Sequence, residues 1–122
     1  MKMKCPMQII MPVFVVSLSL ACASTRTLEQ NFSSIQTGMS RQNIKSIMGK
    51  PERADAGVVP QSPFFGPQEA LLSVLKPGAS FEEWQYIDEG NIYLIWFGSI
   101  SGEPQENWRV VTKFGYPKGA VF

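Results

Sequence analysis

Phe81-Glu82-Glu83-Trp84-Gln85-Tyr86-Ile87, followed by Asp88-Glu89-Gly90-Asn91 and then Ile92-Tyr93-Leu94-Ile95-Trp96-Phe97, is the stretch that decides the fold. Its first run has a period of two, with Trp84 and Tyr86 on a common face. Four turn-forming residues follow, and the second run is apolar throughout. Together they predict a β-hairpin. In the second strand Ile92, Leu94 and Trp96 point one way while Tyr93, Ile95 and Phe97 point the other. An antiparallel sheet covered on one side normally alternates to polar on its free face, so here something must shield the second face. The expected cover is a helix upstream that carries Leu71, Val74 and Leu75; the rival is a partner protein docking on that face.

Working outward, Gly98–Glu106 reads as a connection containing Gly102 and Pro104, and Trp108–Phe114 as a third strand. Its period sets Trp108, Val110, Thr112 and Phe114 against Arg109, Val111 and Lys113. Upstream, residues 57–80 form a Pro- and Gly-bearing insertion. Val58–Gly66 has loop chemistry, with Pro60, Pro63 and the pair Phe64-Phe65. Gln68–Lys76 reads as a helix entered through Pro67 and stopped by Pro77-Gly78. Further upstream, Ser40 can cap a helix over Arg41–Met48, whose Ile44, Ile47 and Met48 repeat at i, i+3, i+4 before Gly49 and Pro51 stop it. Phe32 and Ile35 fit one or two helical turns ending at Gly38. The expected fold is α+β: two short N-terminal helices on a three-stranded antiparallel meander, with an inserted loop-helix. Its expected core is Ile44, Ile47, Trp84, Tyr86, Leu94 and Trp96.

The first residues carry a different signal. Lys2 and Lys4 precede an uncharged apolar run from Met7 to Leu20, closed by Ser19-Leu20-Ala21-Cys22. This is the pattern of a bacterial lipoprotein signal peptide over residues 1–21, with lipid attached to Cys22. Ala23 and Ser24 follow where an Asp would retain a lipoprotein in the inner membrane, so the expected site is the outer membrane, with the domain facing the periplasm. Bacterial lipoproteins of this type carry two or three acyl chains, of which each buried CH₂ contributes about 0.8 kcal/mol. Residues 22–30 read as a polar tether, 31–116 as the domain and 117–122 as a tail.

Composition narrows the function. The chain has no histidine, which removes the commonest general base and metal ligand, and its two cysteines, Cys5 and Cys22, are spent on the signal and the lipid. Without residues 1–21 the chain holds nine basic and ten acidic side chains, a net charge of −1 that gives no sign of nucleic-acid binding. Glu82-Glu83 and Asp88-Glu89 bracket one strand, but without histidine or an ordered acidic loop they read as a solvated strand end and a turn, not as a metal or acid–base pair. Ser40 has no base in any motif and reads as a cap. No catalytic residue, metal ligand or cofactor is expected apart from the covalent lipid. Phe64 and Phe65, framed by Pro63 and Gly66, are the partner-binding candidates, because adjacent aromatics in a proline-bounded loop cannot both lie on one face of a regular element.

Gly38-Met39-Ser40, the short helix, Gly49-Lys50-Pro51 and the later Trp84-Gln85-Tyr86 occur in the order and spacing of the SmpA/OmlA (BamE-like) outer-membrane lipoprotein family, which the stretch from Asn31 to Phe114 resembles. Two departures are the long insertion at 57–80 and the long Gly98–Glu106 connection. The resemblance implies a non-enzymatic, protein-binding accessory subunit in the assembly of outer-membrane β-barrel proteins. Its implied partner is an envelope complex, the β-barrel assembly machinery, reached from a lipid-anchored position. The two-helix, three-strand layout also resembles the repeat unit of β-lactamase inhibitor proteins. That likeness implies the alternative of a periplasmic inhibitor or sensor-type lipoprotein acting on another envelope protein.

Overall fold

Thr27 opens the first helix by a reciprocal exchange: its hydroxyl accepts from Gln30 N–H while the Gln30 side chain accepts from Thr27 N–H. This capping box starts α1, Leu28–Ser33, three residues inside the stretch read as tether. The computed structural model describes residues 25–61 and 66–122, so Cys22, Phe64 and Phe65 lie outside the described residues. A second capping box, between Ser40 and Asn43, starts α2, Arg41–Met48, which ends at Gly49 with φ 84°. Such an amphipathic segment of two turns is held by the face it buries rather than by propensity. Ile44 is fully buried and Met48 nearly so.

The sheet has four antiparallel strands in the order β1-β2-β3-β4, which corrects the expected three. The strands are β1 Arg53–Val58, β2 Ser80–Ile87, β3 Asn91–Gly98 and β4 Arg109–Pro117. β1 escapes a hydrophobic-period reading for a physical reason. It is an edge strand built of Arg-Ala-Asp-Ala-Gly-Val, with no side chain fully buried, and its place comes from backbone pairing with Ser80–Gln85. The insertion also differs from expectation. It runs Pro67–Ser73 as a 3₁₀ helix rather than an α-helix, entered through Gly66 at φ 134° without a side-chain cap.

β3 lies at the centre and divides the core in two. On one face Trp84, Tyr86, Tyr93, Ile95, Phe97 and Val110 pack with Ile35, Ile44 and Met48, and with the partly buried Leu28, Phe32, Met39, Ile47 and Trp108. On the other, Phe81, Leu94, Trp96 and Val111 pack with Val59 and Leu71, and with the partly buried Leu75, Phe114 and Tyr116. The insertion therefore covers the second face through Leu71 and Leu75, while Val74 turns outward and is 45 % exposed. The expected alternation along the last strand is also corrected. Trp96 pairs with Thr112 but Phe97 pairs with Val110, so Val111 is an extra residue at a bulge. The bulge puts Val110 on the helix face and leaves Phe114 and Tyr116 on the insertion face.

Candidate functional site

The motif residues converge where α2 meets the helix face of the sheet. Gly38, at φ 95°, donates its N–H to Val110 O, and Val110 N–H donates to Met39 O. The segment before α2 thus seals the upper edge of β4, with Ser40 bridging Arg109. Met39 packs into the core there, and its Sδ accepts from Gln36 N–H at 3.5 Å. At the other end of α2, Gly49 turns the chain and Pro51 leads it into β1. Tyr86, three strand positions from the turn at Glu89, reaches back across and donates its hydroxyl to Gly49 O at 2.8 Å. Burial pushes the Tyr86 phenol up to about 12. Trp84, two residues earlier on the same face, packs edge-on against Phe97 with ring centroids 4.7 Å apart.

Arg41, a residue that sequence reasoning passed over, ties this region together. Its Nε donates to Glu82 Oε1 at 2.7 Å, its Nη2 pairs with the same oxygen at 2.6 Å, and its Nη1 donates to Gln105 O at 2.9 Å. The guanidinium also lies 5.5 Å from the centroid of Phe97 and 5.9 Å from that of Trp108. A planar, always-charged group suits such a position between rings and a carboxylate. The signal available in the sequence is positional: Arg41 follows the cap at the first helical position, and Glu82 shares the face of Trp84.

Glu82 and Glu83 do not form a pair. They sit on opposite faces of β2, and each accepts from a tryptophan indole: Trp84 Nε1 donates to Glu82 Oε2 at 3.1 Å, and Trp96 Nε1 to Glu83 Oε1 at 2.7 Å. Gln68 Nε2 also donates to Glu83 Oε1, at 2.9 Å, tying the insertion to the sheet. Asp88 organises the hairpin turn by accepting from Gly90 N–H, Asn91 N–H and the Tyr93 hydroxyl. Those bonds, led by the Tyr93 hydroxyl, hold its carboxyl below the usual range. Tyr93 is pushed up to about 12, first by burial and then by Asp88. Lys113 Nζ donates to Phe32 O at 2.6 Å above the Phe32 ring, and burial lowers its pKa. In the long connection, Glu103 accepts from Ser101 N–H, Ile100 N–H and the Ser99 hydroxyl, and these bonds, led by Ser101, depress its pKa.

These acids and bases hold turns, rings and elements in place. Two clefts flank the Arg41–Glu82 pair along β1. One, about 380 Å³, is lined by Ala56, Gly57, Val58, Ser80, Phe81, Gln105 and Trp108. The other, about 350 Å³, is lined by residues that include Lys45, Pro51, Ala54 and Trp84. Among the described residues, no three His, Cys, Asp or Glu side chains are grouped to hold a metal, and no helix is long and apolar enough to cross a membrane. No protein-family model, curated protein or solved structure matches the chain.

Proposed function

We propose that the chain is a non-enzymatic outer-membrane lipoprotein of SmpA/OmlA type, anchored by lipid on Cys22 with its domain in the periplasm. In this role it binds protein partners as an accessory subunit in the assembly of outer-membrane β-barrel proteins. One observation carries the proposal: the residues of the family-like motif act on one another. Ser40 caps α2, Gly49 ends it, and the Gly49 carbonyl accepts the hydroxyl of Tyr86 from the Trp84-Gln85-Tyr86 strand. The motif is thus a scaffold joint, and a scaffold whose charged groups are engaged in structural bonds suits binding better than turnover.

In-cell crosslinking of the C-terminally tagged full chain, followed by membrane fractionation, tests the proposal. Recovery of barrel-assembly components from the outer-membrane fraction is the expected result; recovery of an unrelated envelope protein alone would overturn the assembly role. Cys22→Ser should move the chain out of the membrane pellet, and its retention there would overturn the anchor. In the same experiment, replacing Phe64 and Phe65 together by Ser should leave the chain folded and remove the crosslink; undiminished yield would remove both residues from the contact.

A further inference from the structure

The two edges of the sheet are finished differently. β4 is sealed at its start by Gly38–Ser40, whereas among the described residues β1 has no pairing partner on its outer side. The register of β1 on β2 shows which of its groups point outward. Val59 N–H donates to Ala79 O and Gly78 N–H to Val59 O at one end, and Glu52 N–H donates to Gln85 O at the other. Counting in steps of two from Val59 along the unshifted register, Val58 opposite Ser80 to Arg53 opposite Gln85, the odd-numbered residues of the strand bond inward; Glu52, which also donates to Gln85 O, lies before the strand. Ala54, Ala56 and Val58 therefore direct their N–H and C=O groups away from the sheet. Natural edges are usually protected by charged side chains, lysine above all, by proline, by a bulge or by being short. Between Arg53 and Val58 there is no lysine or proline, the paired register runs without a shift, and the two charges of this six-residue strand, Arg53 and Asp55, pair with each other.

We propose that this edge pairs with the β1 of a second copy of the chain, antiparallel about a two-fold axis through Ala56. The sequence of the strand is self-complementary in that register. Ala54 faces Val58 of the other copy, Asp55 faces Gly57, and Ala56 faces Ala56. Asp55 meets no like charge there and keeps its own partner Arg53 at 3.1 Å. Moving the axis to Asp55 would set the two Asp55 carboxylates directly opposite each other, which is unfavourable. Moving it to Ala54 or to Gly57 leaves fewer strand residues overlapping.

Shape agrees with charge. Val58 is apolar and 59 % exposed, and it lies on the same face of the strand as Ala54. Placed opposite Ala54 of the neighbour, its side chain meets the mouth of the cleft lined by Ala54, Pro51 and Trp84. The symmetry repeats the contact, so knob and cleft form one isologous interface. The product is a continuous eight-stranded sheet with both sets of helices on the same side. A short strand pair is a small interface, below the roughly 1,000 Å² of a stable soluble complex, so the dimer is expected to be concentration-dependent.

Oxidation of the full-length Ala56→Cys chain in detergent or native membranes tests the register. Facing residues of a hydrogen-bonded antiparallel pair have Cα atoms about 5.5 Å apart, within disulfide reach. The two Ala54 positions would lie about 13 Å apart along the strand, beyond that reach. The expected result is a disulfide dimer from Ala56→Cys and none above the wild-type background from Ala54→Cys. Light scattering of the detergent-solubilised wild-type chain should show twice the chain mass at high concentration. The mass should fall to that of a monomer in Ala56→Pro, which removes an outward N–H and fixes φ at that position, and in Val58→Lys, the fold of both being checked by circular dichroism. A monomeric wild type at every concentration would overturn the proposal. So would equal crosslinking at both cysteines, a dimer that survives Val58→Lys, or capture of a different protein by Ala56→Cys in place of the second copy.

Discussion

The two faces of β3 are covered by unlike means. On one side lie two α-helices, each opened by a reciprocal capping box, with Tyr86 and Lys113 hydrogen-bonded to backbone carbonyls at Gly49 and Phe32. On the other lies a 3₁₀ segment entered through an uncapped glycine, held by Leu71, Leu75 and the Gln68–Glu83 hydrogen bond. The strand is equally apolar toward both, with Ile95, Phe97 and Trp96 all fully buried. Equal burial does not make equal stability. Local signals help hold the helix cover, while the insertion cover depends on the sheet it rests on, and segments of that kind open first.

Matched truncations would break the comparison most severely. Phe97→Ala, on the helix face, should destabilise the whole domain by about 3–5 kcal/mol in urea denaturation. Leu71→Ala removes a side chain as fully buried but should fall near the lower end of the Leu→Ala range, at about 2–3 kcal/mol, because the insertion can relax. Limited proteolysis should then cut the Leu71→Ala chain first around residues 66–76 and leave the helices intact. Uniform cutting of both variants would mean that the two covers open as one unit.

A smaller effect sharpens the contrast at the caps. Ser40→Ala takes away the acceptor of Asn43 N–H and should lower stability by about 1 kcal/mol, read as a shift in the urea midpoint. The insertion offers no such cap to remove. An unchanged midpoint would show that packing alone holds α2.

At alkaline pH a further contrast comes from the helix face. Tyr86 and Tyr93 are both raised from 10.0 to about 12, so the folded state holds protons that the unfolded state releases first. Their contribution is present below pH 10 and is lost as pH rises toward 12. Lys113, lowered by burial, acts in the opposite sense, adding stability as pH approaches its ordinary 10.5. Urea midpoints should therefore fall between pH 10 and 12, and Tyr86→Phe should flatten part of that fall. An equal slope in that variant would locate the alkaline sensitivity elsewhere.

Much of the fold was legible where side-chain pattern and backbone chemistry coincide. The β2–β3 hairpin shows its alternation and its turn, and α2 shows its cap, apolar stripe and stop. The two apolar faces of β3 pointed to a second cover, and Leu71 and Leu75 supply it. What could not be read has physical causes. β1 takes its place from hydrogen bonds that Arg-Ala-Asp-Ala-Gly-Val does not encode in its hydropathy. The bulge at Val111 reverses the phase of β4, so two apolar neighbours, Val110 and Val111, divide between opposite faces. Val74 fits a helical stripe of period 3.6 but falls outside in a 3₁₀ segment, which has three residues per turn. Of the motif, Ser40 caps one end of α2 and Gly49 ends the other, where the Tyr86 hydroxyl bonds to it, so the sequence pattern marks the two ends of one helix. Arg41 was not legible, because its four partners, Glu82, Phe97, Gln105 and Trp108, come from β2, β3 and the connection before β4, brought together only by folding.

The two indole–carboxylate bonds have an optical consequence. Trp84 and Trp96 report on opposite faces, each buried and each with its ring N–H held by a glutamate. The emission of an indole depends on its solvation, so of the three tryptophans Trp84 and the partly buried Trp108 report on the helix side and Trp96 on the insertion side. Loosening of one cover would shift the emission of the tryptophan beneath it toward the red, and chains that keep only Trp84 or only Trp96, the others replaced by Phe, would read the two layers separately without an added label.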